Sequence, residues 1–207
     1  MNFVAHLFLS PCNDPFRVGA VLADFTMGKM DLLESRYGTE IANGIRHHRE
    51  VDRYTDSHAA VIDSLDGIKG SFGIYGGIVM DVMYDHFLLK HWTVFTRQTK
   101  ETFFDSVYHS LALNHPGYPE RFRIVIRHIV QKRWLHTYED LENAAYALMR
   151  IGERFQQKTP LDNALPHLQT HYNLMEESFH LFFPQLQSFS NESVARIVPA
   201  ICAADTR

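Results

Sequence analysis

With 207 residues, the chain is long enough for one domain of ordinary size with a substantial core. Its 24 Asp and Glu against 20 Lys and Arg leave a formal charge of -4, which argues against a nucleic-acid binder, and no apolar run reaches the roughly 18 residues of a membrane span. The two cysteines, Cys12 and Cys202, stand at opposite ends with no CxxC or zinc-finger spacing, so a reduced, cytoplasmic setting is expected rather than a disulfide scaffold.

The opening stretch 3–9 is apolar, is interrupted by His6 and is closed by Ser10, Pro11, Asn13, Asp14 and Pro15; period alone does not separate helix from strand there. It lacks a basic lead and a full-length apolar region, so it is expected to belong to the mature fold. Residues 16–27 read as a short helix with Asp24 close to its apolar face and Gly28 ending it. Residues 39–60 form the clearest amphipathic helix. Ile41, Ile45, His48, Asp52, Thr55 and Ala59 share one face, while Arg46, Arg49, Glu50 and Arg53 take the other. The stretch 64–77 holds Gly67, Gly70, Gly73, Gly76 and Gly77 and reads as a connection; it has neither a phosphate-loop nor a dinucleotide spacing.

Residues 80–92 are apolar around almost the whole helical circumference, the pattern of a helix buried on all sides, yet they include Asp81, Asp85, His86 and His91. Residues 99–113 and 119–135 are further helices joined by a turn at 114–117. The second carries Arg121, Arg123, Arg127, Lys132 and Arg133, a local basic bias on an acidic protein. Residues 139–155 are helical by composition, and Thr159 with Pro160 supplies a cap for a long helix kinked at Pro166 and ending near Pro184. From 186 to 207 the pattern weakens. The expectation is an all-α, single-domain helical bundle over 1–185 followed by a looser C-terminal tail.

The chemistry is expected where ionisable groups occupy apolar faces. A carboxylate in a low-dielectric interior is costly unless it is paired, hydrogen-bonded or metal-bound. His48 and Asp52, at i and i+4 on an inward face, can both reach one ion, and the buried helix adds Asp85 and His86 while His6 and Asp24 stand in apolar settings of their own. A donor set of imidazoles and carboxylates without thiolates favours Mn²⁺, Mg²⁺, Fe²⁺ or Zn²⁺ in an open site. Asp81 and His91 are expected to orient ligands rather than to ligate.

The sequence resembles the acyl carrier protein phosphodiesterase family, a divergent branch of the HD-type phosphohydrolases. The likeness lies in Met1–Leu7, in Gly19–Phe25, in Gly44 and Ile45 leading to His48, Arg49, Asp52, Thr55 and Asp56, and most densely in Asp81–Leu88 with His91 and Trp92. It reappears at His171, Tyr172, Phe179, Phe182 and Pro184. The resemblance implies an HD-domain-like helical fold and hydrolysis of the phosphodiester joining 4′-phosphopantetheine to the serine of holo acyl carrier protein, with Mn²⁺ or a similar ion. In this chain Asp85 and His86 stand in the reverse of the usual adjacent His-Asp order, and His48 is followed by Arg49. The ligands are therefore ranked His48, Asp52, Asp24 and Asp85 first, then His6 and His86; the same residues, His6 apart, are the catalytic candidates. An acidic carrier protein requires a positive docking surface, for which Arg121, Arg123, Arg127, Lys132 and Arg133 are the best cluster. Two other readings remain: a metal-dependent hydrolase of a nucleotide or small phosphoester, and a non-enzymatic helical binding module.

Overall fold

The structure of the protein is a computed structural model in which residues 2–113 and 117–198 are described. Cys202, the last residues of the expected tail and most of the expected turn at 114–117 lie outside them. Among the described residues there are helices and turns but no strand, so the all-α class read from periodicity holds. No helix among them is long and apolar enough to cross a membrane. The helices are α1 (Phe3–Phe8), α2 (Asp14–Leu22), α3 (Met30–Tyr37), α4 (Thr39–Ser57), α5 (Ala59–Phe72), α6 (Gly76–Lys90), α7 (Trp92–Phe95), α8 (Lys100–Ala112), α9 (Glu120–Lys132), α10 (Leu141–Gly152) and α11 (Ala164–Ile197). Short 3-10 turns cover Ala23–Phe25, Gly73–Tyr75, Leu135–Glu139 and Pro160–Asn163.

These elements divide between two compact units. The first comprises Met1–Ala5, Thr55–Arg97 and His136–Gln185; the second comprises His6–Tyr54, Gln98–Leu135 and Leu186–Arg207. In the first unit α6 is the central helix, with Val79, Val82, Met83, Tyr84, Phe87, Leu88 and Leu89 all buried, and it packs against α5 and α10. The Tyr84 ring lies against Phe179 and Phe182 of α11, and Phe95 packs edge-on to Phe179 and Phe183. Burial of each such ring contributes about 1.5–3 kcal/mol. The Tyr84 hydroxyl, which cannot be left unpaired at that depth, lies 3.1 Å from Ser178 Oγ. Because Ser178 donates its one proton to the Ala60 carbonyl at 2.8 Å, it accepts from Tyr84.

The second unit is built on α2, α4, α8 and α9, whose inward residues include Phe16, Val21, Leu22, Ile45, Val51, Phe104, Val107, Phe122 and Ile129. Helices α2 and α4 cross with no side chain between them. A Cβ on Gly19 would sit 2.1 Å from the Ile41 carbonyl oxygen, and one on Gly44 would sit 2.0 Å from that of Phe16. Asp24 follows the end of α2, and His48 lies one turn beyond Gly44, so this backbone contact sets where both begin.

Three local expectations change, and one helix, α3, was not among them. The glycine-rich stretch 64–77 is not a connection: α5 runs through Phe72, and only Gly73–Tyr75 separates it from α6. A Cβ on Gly67 would fall 2.5 Å from Leu174 Cδ2, the end of a flexible and partly exposed side chain that can turn aside. Helix α3 has no strong periodicity, with Leu33 as its one buried residue, and is bounded by Gly28 and Gly38 at φ of 119° and 85°. Pro166 lies in the first turn of α11, where its missing N–H costs nothing. Helix α11 does not stop near Pro184 but continues to Ile197. Buried Phe182, Phe183 and Leu186 offset the roughly 3 kcal/mol an internal proline costs. Past Leu186 the inward positions include Ser190 and Ser193, and that replacement of apolar by small polar side chains is why the pattern weakens there.

Candidate metal centre

Three elements deliver the donors, and all four donor residues belong to the second unit. Helix α1 carries His6, the 3-10 turn Ala23–Phe25 carries Asp24, and α4 carries His48 and Asp52 on successive turns of one face. The His6 and His48 rings stack, with centroids 3.7 Å apart and planes 14° from parallel. Asp52 faces both: its Oδ1 is 3.0 Å from His6 Nε2 and its Oδ2 is 3.0 Å from His48 Nε2. Asp24 Oδ1 approaches His48 Nε2 at 3.4 Å. The imidazoles are buried, with 1 % and 4 % of their side chains exposed, whereas Asp52 and Asp24 are 36 % and 43 % exposed. The cluster therefore has an apolar back and a carboxylate front.

Two stacked imidazolium rings at this separation would repel strongly in a buried setting, so only one ring carries charge. Burial and the neighbouring His48 push His6 down to about 3. For His48 burial acts in the same direction, but hydrogen bonds to Asp24 and Asp52 outweigh it and carry the ring up to about 9. Burial would raise the Asp52 carboxyl, yet its bond to charged His48 holds it well below the usual carboxylate range. Neighbouring His47 shows how local this is: fully buried, with Nε2 2.9 Å from Ser190 Oγ, it is pushed down to about 4 by burial.

The donor atoms suit a divalent ion. His6 Nε2 faces Asp52 Oδ1 at 3.0 Å, while the Nδ1 atoms of both His6 and His48 are buried without a hydrogen-bond partner. An orphaned imidazole lone pair at this depth is what a metal ligand looks like before its metal. One donor atom each from His6, His48 and Asp52 falls within 4.8 Å of the other two.

On the buried helix α6, Asp85 and His86 have hydrogen-bond partners of their own. Asp85 is fully buried and accepts from the backbone N–H groups of Val4 at 2.9 Å and Ala5 at 2.8 Å, so both its oxygens serve the start of α1, in the residues just before His6. Burial pushes its carboxyl up to about 7 against the pull of those two donors. His86 places Nδ1 2.9 Å from the Tyr138 carbonyl oxygen and Nε2 2.8 Å from the Tyr172 hydroxyl. A carbonyl only accepts, so Nδ1 carries the proton and Nε2 accepts from Tyr172. Burial lowers the His86 pKa, in keeping with a neutral ring. Asp81 is half-buried one turn before Asp85, and its charge helps to raise both Asp85 and Tyr84. His91 lies 2.7 Å from Glu176 Oε1. Glu176 escaped the sequence reading, although its i, i+4 spacing to His180 was visible.

Helix α9 presents Arg121, Arg127 and Lys132 to solvent with Arg123 half-buried, and Arg133, at φ 49° just past its end, pairs with Asp105. Arg123 and Arg127 flank a cavity of about 220 Å³ lined by Leu111, Leu113, Phe122, Ile126 and Val130. Phe122 in turn packs edge-on to Phe25, the residue after Asp24, with centroids 5.4 Å apart.

Residues 1–186 match the acyl carrier protein phosphodiesterase family. The chain belongs to that family. It is 31 % identical over 191 residues to the acyl carrier protein phosphodiesterase of Pectobacterium atrosepticum, spanning 92 % of this chain and 97 % of the relative. It is 30 % identical over 187 residues to those of an Enterobacter species and of Yersinia pestis, covering 90 % of this chain and 95 % of each relative. No solved structure matches. The span shared with the acyl carrier protein phosphodiesterases contains all four donors of the cluster and ends within α11.

Proposed function

We propose that this protein hydrolyses the phosphodiester linking 4′-phosphopantetheine to the serine of holo acyl carrier protein, releasing apo carrier protein and 4′-phosphopantetheine, with a divalent ion such as Mn²⁺. The observation that carries the reading is the cluster of His6, His48 and Asp52, with Asp24 beside it, in a chain of this family. The ion, when bound, neutralises phosphoryl charge and makes water acidic enough to attack near neutral pH. Every other task falls to the chain. Asp52 holds both Nε2 atoms toward one point, and Asp24 brings a second carboxylate from a separate element. The buried rings close the inner side to water, so a phosphodiester approaches only from the carboxylate side. Asp85 positions His6 by fixing the start of α1, and His86 serves the packing of α6. The donor types, histidine and aspartate on helices, also fit a divergent HD-like ancestry. A reduced cytoplasmic setting belongs to the same proposal, since Cys12 is an exposed free thiol.

Water adds to phosphorus, the bond from phosphorus to serine Oγ breaks, and the serine oxygen leaves with a proton. In H₂¹⁸O the heavy oxygen is expected in the released phosphopantetheine. Label in the carrier serine instead would mean that a carbon–oxygen bond is cut. Parallel assays with holo carrier protein and a small phosphodiester separate this substrate from a small-phosphoester alternative: turnover of the small diester alone would overturn the carrier protein as substrate.

The carrier protein is proposed to dock on α9, where half-buried Arg123 and exposed Arg127 flank an apolar cavity that Phe122 links to Phe25 beside Asp24. Charge complementarity acts chiefly on encounter and is screened by salt. Arg123→Glu combined with Arg127→Glu should raise KM for carrier protein about tenfold or more at low salt, flatten its salt dependence and spare small-diester turnover. An unchanged KM at low salt would place docking elsewhere.

A further inference from the structure

The first unit carries a second set of convergent donors for which the proposed reaction has no use. Glu176 and His180 are one turn apart on α11, and His91 terminates α6. One donor atom from each of the three lies within 4.8 Å of the other two. His91 Nε2 is 2.7 Å from Glu176 Oε1, and the His91 and His180 rings meet edge to face with centroids 4.4 Å apart. Lys90 Nζ stands 2.7 Å from the same glutamate oxygen and 2.9 Å from the Tyr172 hydroxyl. A positive charge already lies against that oxygen, supplied by an ammonium group on a flexible and substantially exposed stem.

We propose that His91, Glu176 and His180 form a second divalent-cation site, suited to Zn²⁺ and distinct from the cluster at His6, His48 and Asp52. Two imidazoles and one carboxylate make a borderline donor set, and three protein ligands leave a fourth tetrahedral position for water. The i, i+4 pair on α11 supplies two ligands from one rigid face, and His91 supplies the third from the end of α6. The ion takes the place of the Lys90 ammonium on Glu176, while Lys90 keeps the Tyr172 hydroxyl as a partner. Its effect is to fasten the last turn of α6 to the middle of α11 within the first unit.

Counting bound Zn²⁺ by equilibrium dialysis and metal analysis tests this on the full chain. Wild type is expected to hold one equivalent more than His180→Ala, and Asp52→Ala is expected to keep the outlying equivalent. His180 is exposed, so its replacement does not threaten the fold. Lys90→Met should tighten the outlying site about tenfold by removing the competing charge. Co²⁺ in that site should give the intense visible absorption of a tetrahedral ion, absent in His180→Ala. Equal stoichiometry in wild type and His180→Ala overturns the site, whatever becomes of the first one. Unchanged Zn²⁺ affinity in Lys90→Met overturns the exchange with Lys90.

Discussion

Replacing Asp52 by alanine is expected to abolish metal retention and to lower turnover far more than the roughly 10–100-fold that loss of a ligand's outer hydrogen-bond partner produces. Asp52 is the only one of the four donors that touches both stacked histidines, at 3.0 Å each. Without it, His6 has no acceptor nearby and His48 keeps only Asp24 at 3.4 Å. His48→Ala should have the same consequence for metal, because it removes one of two nitrogen donors from a site with few to spare. Helical content should survive in both variants, since Asp52 is a third exposed and the α2–α4 contact lies elsewhere on the helix. The check is metal content after purification without chelator, alongside circular dichroism. Full occupancy in both variants would refute the placement of the ion.

Replacing Asp85 should produce the opposite pattern, a loss of stability first and of metal second. In Asp85→Ala two buried backbone N–H groups lose their acceptor, at about 1–3 kcal/mol each. That is a large part of the roughly 5–15 kcal/mol by which a domain is stable. Asp85→Asn keeps one carbonyl oxygen and so one of the two bonds, and should fall between wild type and alanine. Because α1 continues directly from Ala5 to His6, loosening its start should weaken metal binding in step with stability. Urea denaturation and metal titration of the three proteins together decide the matter. If Asp85→Asn lost the metal while remaining as stable as wild type, Asp85 would be a ligand and the anchoring role would be wrong.

The contrast between these residues shows what a single sequence can disclose. His48 and Asp52 were legible because polar residues on an apolar face are anomalous, and the i, i+4 spacing fixes their direction. Asp85 was equally anomalous, and its burial was foreseen. Its partners were not, because they are main-chain N–H groups, which every residue but proline possesses and no letter code marks. The Tyr138 carbonyl that holds His86 was hidden for the same reason. His6 sits in a short stretch of ambiguous period, which gives no sign that its ring lies directly on that of His48. Glycine misled in the other direction. The stretch 64–77 reads as a connection, but Gly67 and Gly70 lie inside α5.

The crossing at Gly19 and Gly44 bears on which ions the site can take. With side chains absent from the contact, the separation of α2 and α4 is that of two touching main chains and does not depend on how a core repacks. Asp24 lies five residues beyond one glycine and His48 four beyond the other, so the span between their donors is inherited from backbone contact. If this cluster holds a metal, so rigid an aperture would sort cations by radius, and would favour a small ion with metal–ligand bonds of about 2.0–2.2 Å over Ca²⁺, which needs six to eight oxygens at about 2.3–2.6 Å and a site able to yield around it. Ionic selectivity in this protein would then reside partly in two positions that carry no side chain at all.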